Sequence, residues 1–536
     1  MERNNQKKNK IVVAERIADE ALEKLNQYAD VDIKIGLDRE ELLDGIGEYD
    51  AIIVRSATQI DAELMDKAVN LKMVGRAGNG TDNIDIPEAT KRGIIVANTP
   101  ESNTMSAAEL TIGLIVTQSR NIPQANKFLK DGKWGRNQFK GSELFTKTLG
   151  IVGLGRIGSL VAKRMQSFGM QVIAYDPYIS DDRFKRLGVE RRTALNDLVK
   201  ESDYITVHTP KNKETYWMIN ETHLPFMKKG VRVTNVARGG IIKEKAILDG
   251  IEQGIIASAG IDVHESEPST NVELMACENV IVTPHLGAST LEAQLNVGMT
   301  VANQVLSGLN GEIVPNAVNL PAIHRDELNA IKPYIGLAEK LGKMFYQVKK
   351  DAKIELIKIA YCGELGKQET GMISIAFLKG LLETIISNRV NYINANVIAK
   401  ERGITITEKI LDEYYDGYTE YLRIKVKTDQ GTFTLGGNLS SKGEGRLVDF
   451  DGYEVDLTPG DNMIVLQNMD VPGMIGHVGA LLGTEEVNIA TMQLGRHESG
   501  GKAIMLLNVD DRVADVTIEK LEEHKNILWA KAISLS

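Results

Sequence analysis

Three side chains, each a few residues past an apolar run, set the chemistry open to this chain. Arg238 comes shortly after VRVTNV, Glu267 lies in HESEP and His285 in TPHLGAST. Histidine has the side chain whose ordinary pKa lies nearest neutrality, so His285 is the candidate acid/base. A carboxylate hydrogen-bonded to its ring would fix the tautomer and strengthen its hold on a proton, the part expected of Glu267. Arg238 offers a planar fork that can grip a carboxylate, as lysine could not. Moving a hydride from a secondary alcohol needs a base for the hydroxyl proton, a cation for the substrate's carboxylate and a group that tunes the base. Asp262, one strand end earlier, is expected to stand behind these three. His208, His223, His264, His324, His477, His497 and His524 are read as structural.

A hydride needs an acceptor. Gly153-Leu154-Gly155-Arg156-Ile157-Gly158 follows the strand-like TLGIV and opens the helical stretch SLVAKRMQSFG, the context in which G-x-G-x-x-G binds a dinucleotide. Gly153 serves the tight turn, Gly155 the close approach of the pyrophosphate, and Gly158 helix-on-strand packing, with helix N–H groups facing the anion. After the strand MQVIAY comes Asp176, which can accept hydrogen bonds from a ribose 2′-hydroxyl and would repel a 2′-phosphate. NAD is therefore the expected cofactor. Thr209 in VHTP, Val236 and Ala237 in NVARGG, and Asp262 in GIDVHE stand just past apolar strands, where ligands of an open parallel sheet bind.

The chain has 536 residues, 43% hydrophobic and 25% charged, several times the ~150 residues of a common domain, so it must bury more than one core. Its net charge of -10 is spread without a basic stripe, which excludes nucleic acid as the expected partner. No apolar run approaches the ~20 residues of a membrane span, and MERNNQKKNK reads as a short solvated tail rather than a secretory signal. Cys277 and Cys362 are the only cysteines, too few for a disulfide framework or a thiolate metal cage. No metal site is expected, and a cytoplasmic enzyme is.

Strand-helix alternation over 1–105, resumed over 290–320, predicts a discontinuous flavodoxin-like α/β substrate domain. Inserted in it, 106–289 reads as a doubly wound Rossmann-type nucleotide domain. STLEAQLNVGMTVANQVLSGL is helical, and GEIVPNAVN reads as a strand returning to the first unit. An α+β domain follows over 321–457, with helices over 372–402 and strands in YLRIKVKT, GTFTLGG, RLVDFDG and YEVDL. A terminal domain over 460–536 has ferredoxin-like order.

LGIVGLGRIG, YDP, HTP, NVARGG, DVHESEP and TPHLGAST together resemble the D-isomer-specific 2-hydroxy-acid dehydrogenase family. The resemblance implies that Arg238, Glu267 and His285 form the active site, and it adds Gly287, Ala288 and Asn79 to the cofactor contacts. VRSATQI, VGRAGNGTDNID, ANTPESNT and GKWGRNQFKG resemble the phosphoglycerate-oxidising branch of that family. That implies 3-phosphoglycerate as substrate, held by Arg55, Ser56, Arg76 and Gly78, with Arg136 reaching a neighbouring subunit's site. Several cations near one cleft also suit a dianionic phosphate.

NMDVPGMIGHVGALLGTEEVNIATMQLGR resembles an ACT domain, which implies an amino-acid effector, L-serine, held by Asn468, Asp470 and Asn488 between two such domains. Asp470 can take an ammonium, and the amides can pair with hydroxyl and carboxylate. Residues 321–457 resemble the intervening domain of the long members, which adds subunit contacts or a second anion site, with Arg446 its candidate. The resemblance further implies a homo-oligomer, a tetramer. Two other readings compete: a dehydrogenase of another 2-hydroxy acid such as glycerate or 2-hydroxyglutarate, and a non-enzymatic NAD-sensing binding protein.

Overall fold

Short runs of β-branched residues separated by helix-forming stretches close into parallel sheets because each strand can then be covered on both faces. The computed structural model describes residues 8–314, 316–321, 325–350, 352–386, 390–412 and 417–536. The tail up to residue 7, His324, and residues 387–389 of the helical stretch expected over 372–402 lie outside them.

Strands β1 (Lys10–Val13), β2 (Asp30–Ile33), β3 (Ala51–Val54), β4 (Met73–Arg76) and β5 (Ile95–Ala97) form a parallel sheet in the order β2-β1-β3-β4-β5. The helix Leu291–Leu309 returns to this sheet and buries Val297, Val301 and Val305 against Ile11, Ile53 and Met73. Beyond it the expected strand reduces, among the described residues, to one antiparallel bridge between Ala97 and Ala317.

The second sheet is also parallel. It contains β6 (Thr148–Val152), β7 (Gln171–Tyr175), β8 (Glu190–Arg191), β9 (Tyr204–Val207), β10 (Val231–Asn235), β11 (Ile256–Ile261) and β12 (Val280–Val282), in the order β12-β11-β10-β9-β6-β7-β8. Strand order reverses at β6, so the loops after β6 and β9 open into one crevice, the usual ligand position of such sheets. The helix Thr104–Arg120 covers this sheet. Its Gln118 donates to Thr234 at 2.9 Å and accepts from Ser258 at 3.2 Å.

The third sheet runs β14-β13-β15-β16-β17-β18, from β13 (Ile354–Gly363), β14 (Thr405–Leu411), β15 (Glu420–Thr428), β16 (Gly431–Leu439), β17 (Gly445–Phe450) and β18 (Tyr453–Leu457). The sequence reading lacked β14. It is an edge strand with mostly exposed side chains, so no buried alternation marks it. The helices Arg325–Val348 and Gly371–Glu383 cover the sheet.

Finally, β19 (Asn462–Met469), β20 (Ile489–Arg496), β21 (Lys502–Val509) and β22 (Ile527–Ser534) pair as β20-β21-β19-β22, with the helices Met474–Thr484 and Asp515–Glu522 between them in the chain. One face of this sheet, with Ile464 and Leu466, packs on its own helices. The other, with Met463, Val465, Ile504, Leu506 and Ile533, joins the core of the third domain. Gln347 and Ser534 exchange two hydrogen bonds across that junction, at 2.8 and 2.9 Å, and Lys343 donates to the Ser536 carbonyl at 2.9 Å. The sequence boundary near residue 458 therefore divides the chain but not the packing. No described helix is long and apolar enough to cross a membrane.

Candidate active site

After β6 the chain turns at Gly153 with φ +92°, where a Cβ would lie 2.7 Å from the His208 carbonyl. The loop after β6 thus lies directly against the loop after β9. A Cβ on Gly158 would come within 2.1 Å of the Gly153 carbonyl, so helix and turn are in contact. A Cβ on Gly155 would meet nothing within 4 Å. That open space lies before the N-terminus of the helix Arg156–Ser167, where unpaired N–H groups attract an anion. Asp176, at the end of β7, accepts from the Leu154 N–H at 2.9 Å and the Tyr178 N–H at 3.0 Å, which holds its carboxylate beside the glycine loop. The Thr209 hydroxyl is buried without a protein partner, a donor and acceptor suited to a ligand. Ile157 and Ala237 are half-buried and Val236 is buried. These features fit a dinucleotide. Arg156, expected among the cofactor contacts of the fingerprint, pairs here with Glu101 at 3.4 Å. Behind the loop, burial pulls His208 down to about 3, so its ring is neutral.

Between the first two domains lies a cleft of about 1300 Å³. Its lining brings together Arg55, Ser56, Arg76, Gly78 and Asn79 from the first domain with Arg238, Glu267, His285 and Ala288 from the second. His285 Nδ1 lies 2.7 Å from Glu267 Oε2. The carboxylate can only accept, so Nδ1 carries the hydrogen and Nε2 is left to act as base. Glu267 Oε1 accepts from the His264 N–H at 3.1 Å. Burial would raise the Glu267 carboxyl, but His285 and the His264 N–H, by hydrogen bonds and charge together, outweigh it and hold it below the usual range.

Asp262, expected as a cofactor contact, is fully buried, and its carboxylate is committed to the chain around His285. Oδ1 accepts from the Thr283 hydroxyl at 2.6 Å and the Leu286 N–H at 2.7 Å, and Oδ2 from the Gly287 N–H at 2.9 Å. Its carbonyl takes the His285 N–H at 2.8 Å and so secures a residue at φ +56°. Asp262 holds the backbone on both sides of His285, and its oxygens already serve the protein.

Arg238 leaves β10 through a turn that Asn235 holds, by accepting from the Ala237 N–H at 3.0 Å and donating to the Arg238 carbonyl at 2.9 Å. Its Nε lies 3.5 Å from Asp82 Oδ2 across the cleft, and it passes so close to Gly80 that a Cβ there would lie 2.3 Å from Nη2. Arg76, at the end of β4, lies over Gly78, where a Cβ would lie 1.9 Å from Nη1. Its Nε is buried without a partner. Burial first, then the charges of Arg238 and Arg55, pull its pKa down to about 10, only partly opposed by Glu15 and Asp82. Arg55 is aimed by Glu15, whose carboxylate accepts the N–H groups of Arg55, Ala57 and Thr58 at 2.8, 3.2 and 3.0 Å. Those donors overcome the effect of burial and keep the Glu15 carboxyl below its usual range. The sequence reading missed Glu15, Asp82, Asn83 and Lys211, all in the cleft lining. Lys211 had a local signal in its place directly after VHTP, and Asp82 and Asn83 in theirs within VGRAGNGTDNID, whereas Glu15 had none.

Arg136 lies in the short helix Arg136–Phe139, away from this cleft within one chain. In the terminal domain, Asn468 is buried with its Oδ1 unpartnered. Asp470 accepts from Arg496 at 2.8 Å, which holds its carboxyl low, and Asn488 donates to Asp510 at 2.7 Å. An ammonium at Asp470 would share that carboxylate with Arg496. Arg446, the candidate for a second anion site, pairs with Asp456 at 2.5 Å and is not a free cation.

Residues 112–287 match the family model for the D-isomer specific 2-hydroxyacid dehydrogenase NAD binding domain. With the sheet order and cleft above, that makes the second domain an NAD-binding domain of the 2-hydroxy-acid dehydrogenase class. Solved structures of the class align with more than half of the chain. A glyoxylate reductase from Paecilomyes thermophila covers 58% of this chain and 98% of its own, at 28% identity and TM-score 0.54. A D-lactate dehydrogenase from Aquifex aeolicus complexed with NAD and lactic acid covers 57% and 96%, at 28% and 0.52. Residues 330–451 match the D-3-phosphoglycerate dehydrogenase intervening domain, and 462–526 the ACT domain. Curated D-3-phosphoglycerate dehydrogenases match end to end. That of Methanocaldococcus jannaschii is 42% identical over 98% of this chain and 100% of its own, and that of Bacillus subtilis 43% over 98% and 99%. The chain belongs to the D-3-phosphoglycerate dehydrogenase family.

Proposed function

We propose that this chain oxidises D-3-phosphoglycerate to 3-phosphohydroxypyruvate with NAD, in the cytoplasm, as the entry to L-serine synthesis. The observation that carries this reading is the gathering of Arg55, Arg76 and Arg238 beside the His285–Glu267 pair, with Arg76 half-buried and its Nε buried and unpartnered. Guanidinium groups crowded in a cleft repel one another until an anion joins them, and a substrate with a phosphate and a carboxylate supplies one at each end.

Arg238 holds the carboxylate and orients the carbinol toward His285. His285 Nε2 takes the hydroxyl proton, and Glu267 stabilises the imidazolium through Nδ1–H. Bound NAD supplies the hydride acceptor. Residues 153–158, Asp176 and Thr209 would hold it, with Asn79, Val236, Ala237, Gly287 and Ala288 beside it. Arg55 and Arg76, with Ser56 and Gly78, hold the phosphate. In the reverse direction the same imidazolium returns the proton.

The effector reading rests on the buried, unpartnered Asn468 Oδ1 near Asp470, with Asn488 completing the set. L-serine binding there would need two terminal domains, hence a homo-oligomer, a tetramer by family resemblance. The exposed apolar side chains Ile122, Leu129 and Trp134, close in sequence to Arg136, support a second copy at that face. One assay tests the whole: NADH formation against a panel of 2-hydroxy acids, with and without serine. A preference for an unphosphorylated acid would refute the substrate. Serine without effect at millimolar concentration would refute the effector and leave the chemistry standing.

A further inference from the structure

We propose that Lys211 joins Arg55, Arg76 and Arg238 on the substrate and determines the preference of this site for a phosphorylated one, an inference that rests on the dehydrogenase reading above. Arg55 and Arg76 stand on the first-domain wall of the cleft. Lys211 follows Pro210 after β9 on the opposite wall, with Arg238, and lines the same space. Among the described residues its ammonium meets the Tyr216 ring, 5.3 Å from the centroid, and no ion-pairing carboxylate. Three carboxylates of the cleft lining are engaged by other groups: Glu267 by His285, Asp82 by Arg238, and Glu265 by the Glu244 N–H and Trp217. Lys211 is therefore an uncommitted positive charge facing an anion-seeking cleft.

Its support is built. Tyr216 stacks on Trp217 at 4.6 Å, and Gly240, at φ +83°, brings backbone so close beneath Tyr216 that a Cβ would lie 2.7 Å from the ring. Trp217 is held at φ +53°, unfavourable for a bulky residue, by its N–H on the Gly240 carbonyl at 2.6 Å and its indole N–H on Glu265 at 3.2 Å. Backbone held in a sparsely populated region while three contacts over-determine it is a mark of a functional site. What the platform presents to the cleft is the Lys211 ammonium. A lysine is a rotatable point charge on a flexible stem, suited to following a phosphate as the two walls approach, whereas the arginine fork suits a fixed carboxylate. Lys211 therefore reads the phosphate and leaves the carboxylate to Arg238.

The test compares NADH-dependent reduction of 3-phosphohydroxypyruvate with that of hydroxypyruvate by full-length wild type, Lys211→Met and Lys211→Arg, with NADH binding followed by fluorescence. Loss of one charge-assisted contact should lower kcat/KM of Lys211→Met for the phosphorylated substrate about 10- to 100-fold. Hydroxypyruvate turnover and NADH affinity should stay within about 2- to 3-fold, and Lys211→Arg should recover most of the loss. Equal losses on both substrates, weakened NADH binding, or an unchanged preference would each overturn the inference. A wild type that prefers hydroxypyruvate would instead sink the phosphoglycerate reading, and this inference with it.

Discussion

Arg76→Met should separate function from stability, with opposite signs. The Arg76 guanidinium sits where burial and two neighbouring arginines pull its pKa from the ordinary arginine range down to about 10. At 1.36 kcal/mol per pKa unit, that is ~3 kcal/mol against the charged form in the empty cleft. The side chain keeps some solvent contact, so a realistic figure is roughly 1–2 kcal/mol. Methionine fills most of the same space without charge and forfeits one hydrogen bond, Nη1 to the Ala77 carbonyl at 3.1 Å, worth about 1 kcal/mol. The ligand-free variant should melt no lower than wild type, and up to a few degrees higher, in scanning calorimetry of the transition that NADH shifts. Its kcat/KM for the phosphorylated substrate should fall about 10²-fold, the cost of removing a charged partner from a bound phosphate. At ~100 Kd of substrate, wild type should gain about 2.7 kcal/mol of stability, and the variant at the same concentration far less. The pKa shift lies wholly above pH 10, so none of this depends on pH in the assay range. A ligand-free melting point several degrees lower, with equal losses for phosphorylated and unphosphorylated substrates, would show Arg76 to be a strut rather than a binding group.

Glu267→Gln should cut kcat for alcohol oxidation about 10²-fold and move the acid limb of the pH–rate profile to lower pH, because the amide no longer favours the charged ring; an unmoved limb would detach Glu267 from His285. His208, neutral by burial with a pKa of about 3, binds its proton less readily folded than unfolded. Its share of stability is therefore complete above ~6.5 and is lost as pH falls toward 3, at up to ~1.4 kcal/mol per pH unit, so His208→Asn should flatten that acid slope in urea titrations. A chain ending at Leu457 should aggregate or melt early by size-exclusion chromatography and calorimetry. It loses the packing partners Met463, Val465, Ile504, Leu506 and Ile533, each worth ~1.5–3 kcal/mol when fully buried; a soluble chain with unchanged melting would show the third domain to be self-sufficient.

The sequence made legible what depends on local order. A glycine fingerprint between strand and helix, an acid at the next strand end, and Arg238, Glu267 and His285 after successive strands could all be read, because a parallel sheet places its strand ends together. Groups that act across the chain were hidden. Glu15 organises Arg55 from 40 residues away, by accepting backbone N–H groups, and no spacing rule marks such a carboxylate. Asp262 was read both as a residue behind the three and as a cofactor contact, since a strand-end aspartate looks the same whether it meets a ligand or the neighbouring loop; its complete burial and its bonds to the loop favour the first. Arg446 looked like a free cation until Asp456 was found beside it on the paired strand. β14 escaped because an edge strand with two wet faces has no apolar rhythm.

The division of charge between the walls explains why the site is split across two domains. Arg55 and Arg76 belong to the first, Arg238 and Lys211 to the second, and Asp82 reaches over to Arg238 at 3.5 Å. In this arrangement the catalytic pair is still wet, with His285 and Glu267 side chains 45% and 37% exposed. Proton transfer and hydride transfer both gain from the loss of that water. Under the proposed reading an anion with charge at both ends would bind the two walls at once, and the groups that recognise the substrate would then draw the cleft shut over the dyad. An unphosphorylated acid would engage Arg238 but little of the opposite wall, and would leave the pair hydrated. Discrimination should therefore fall on kcat as well as KM, because the phosphate is read through the closure it causes.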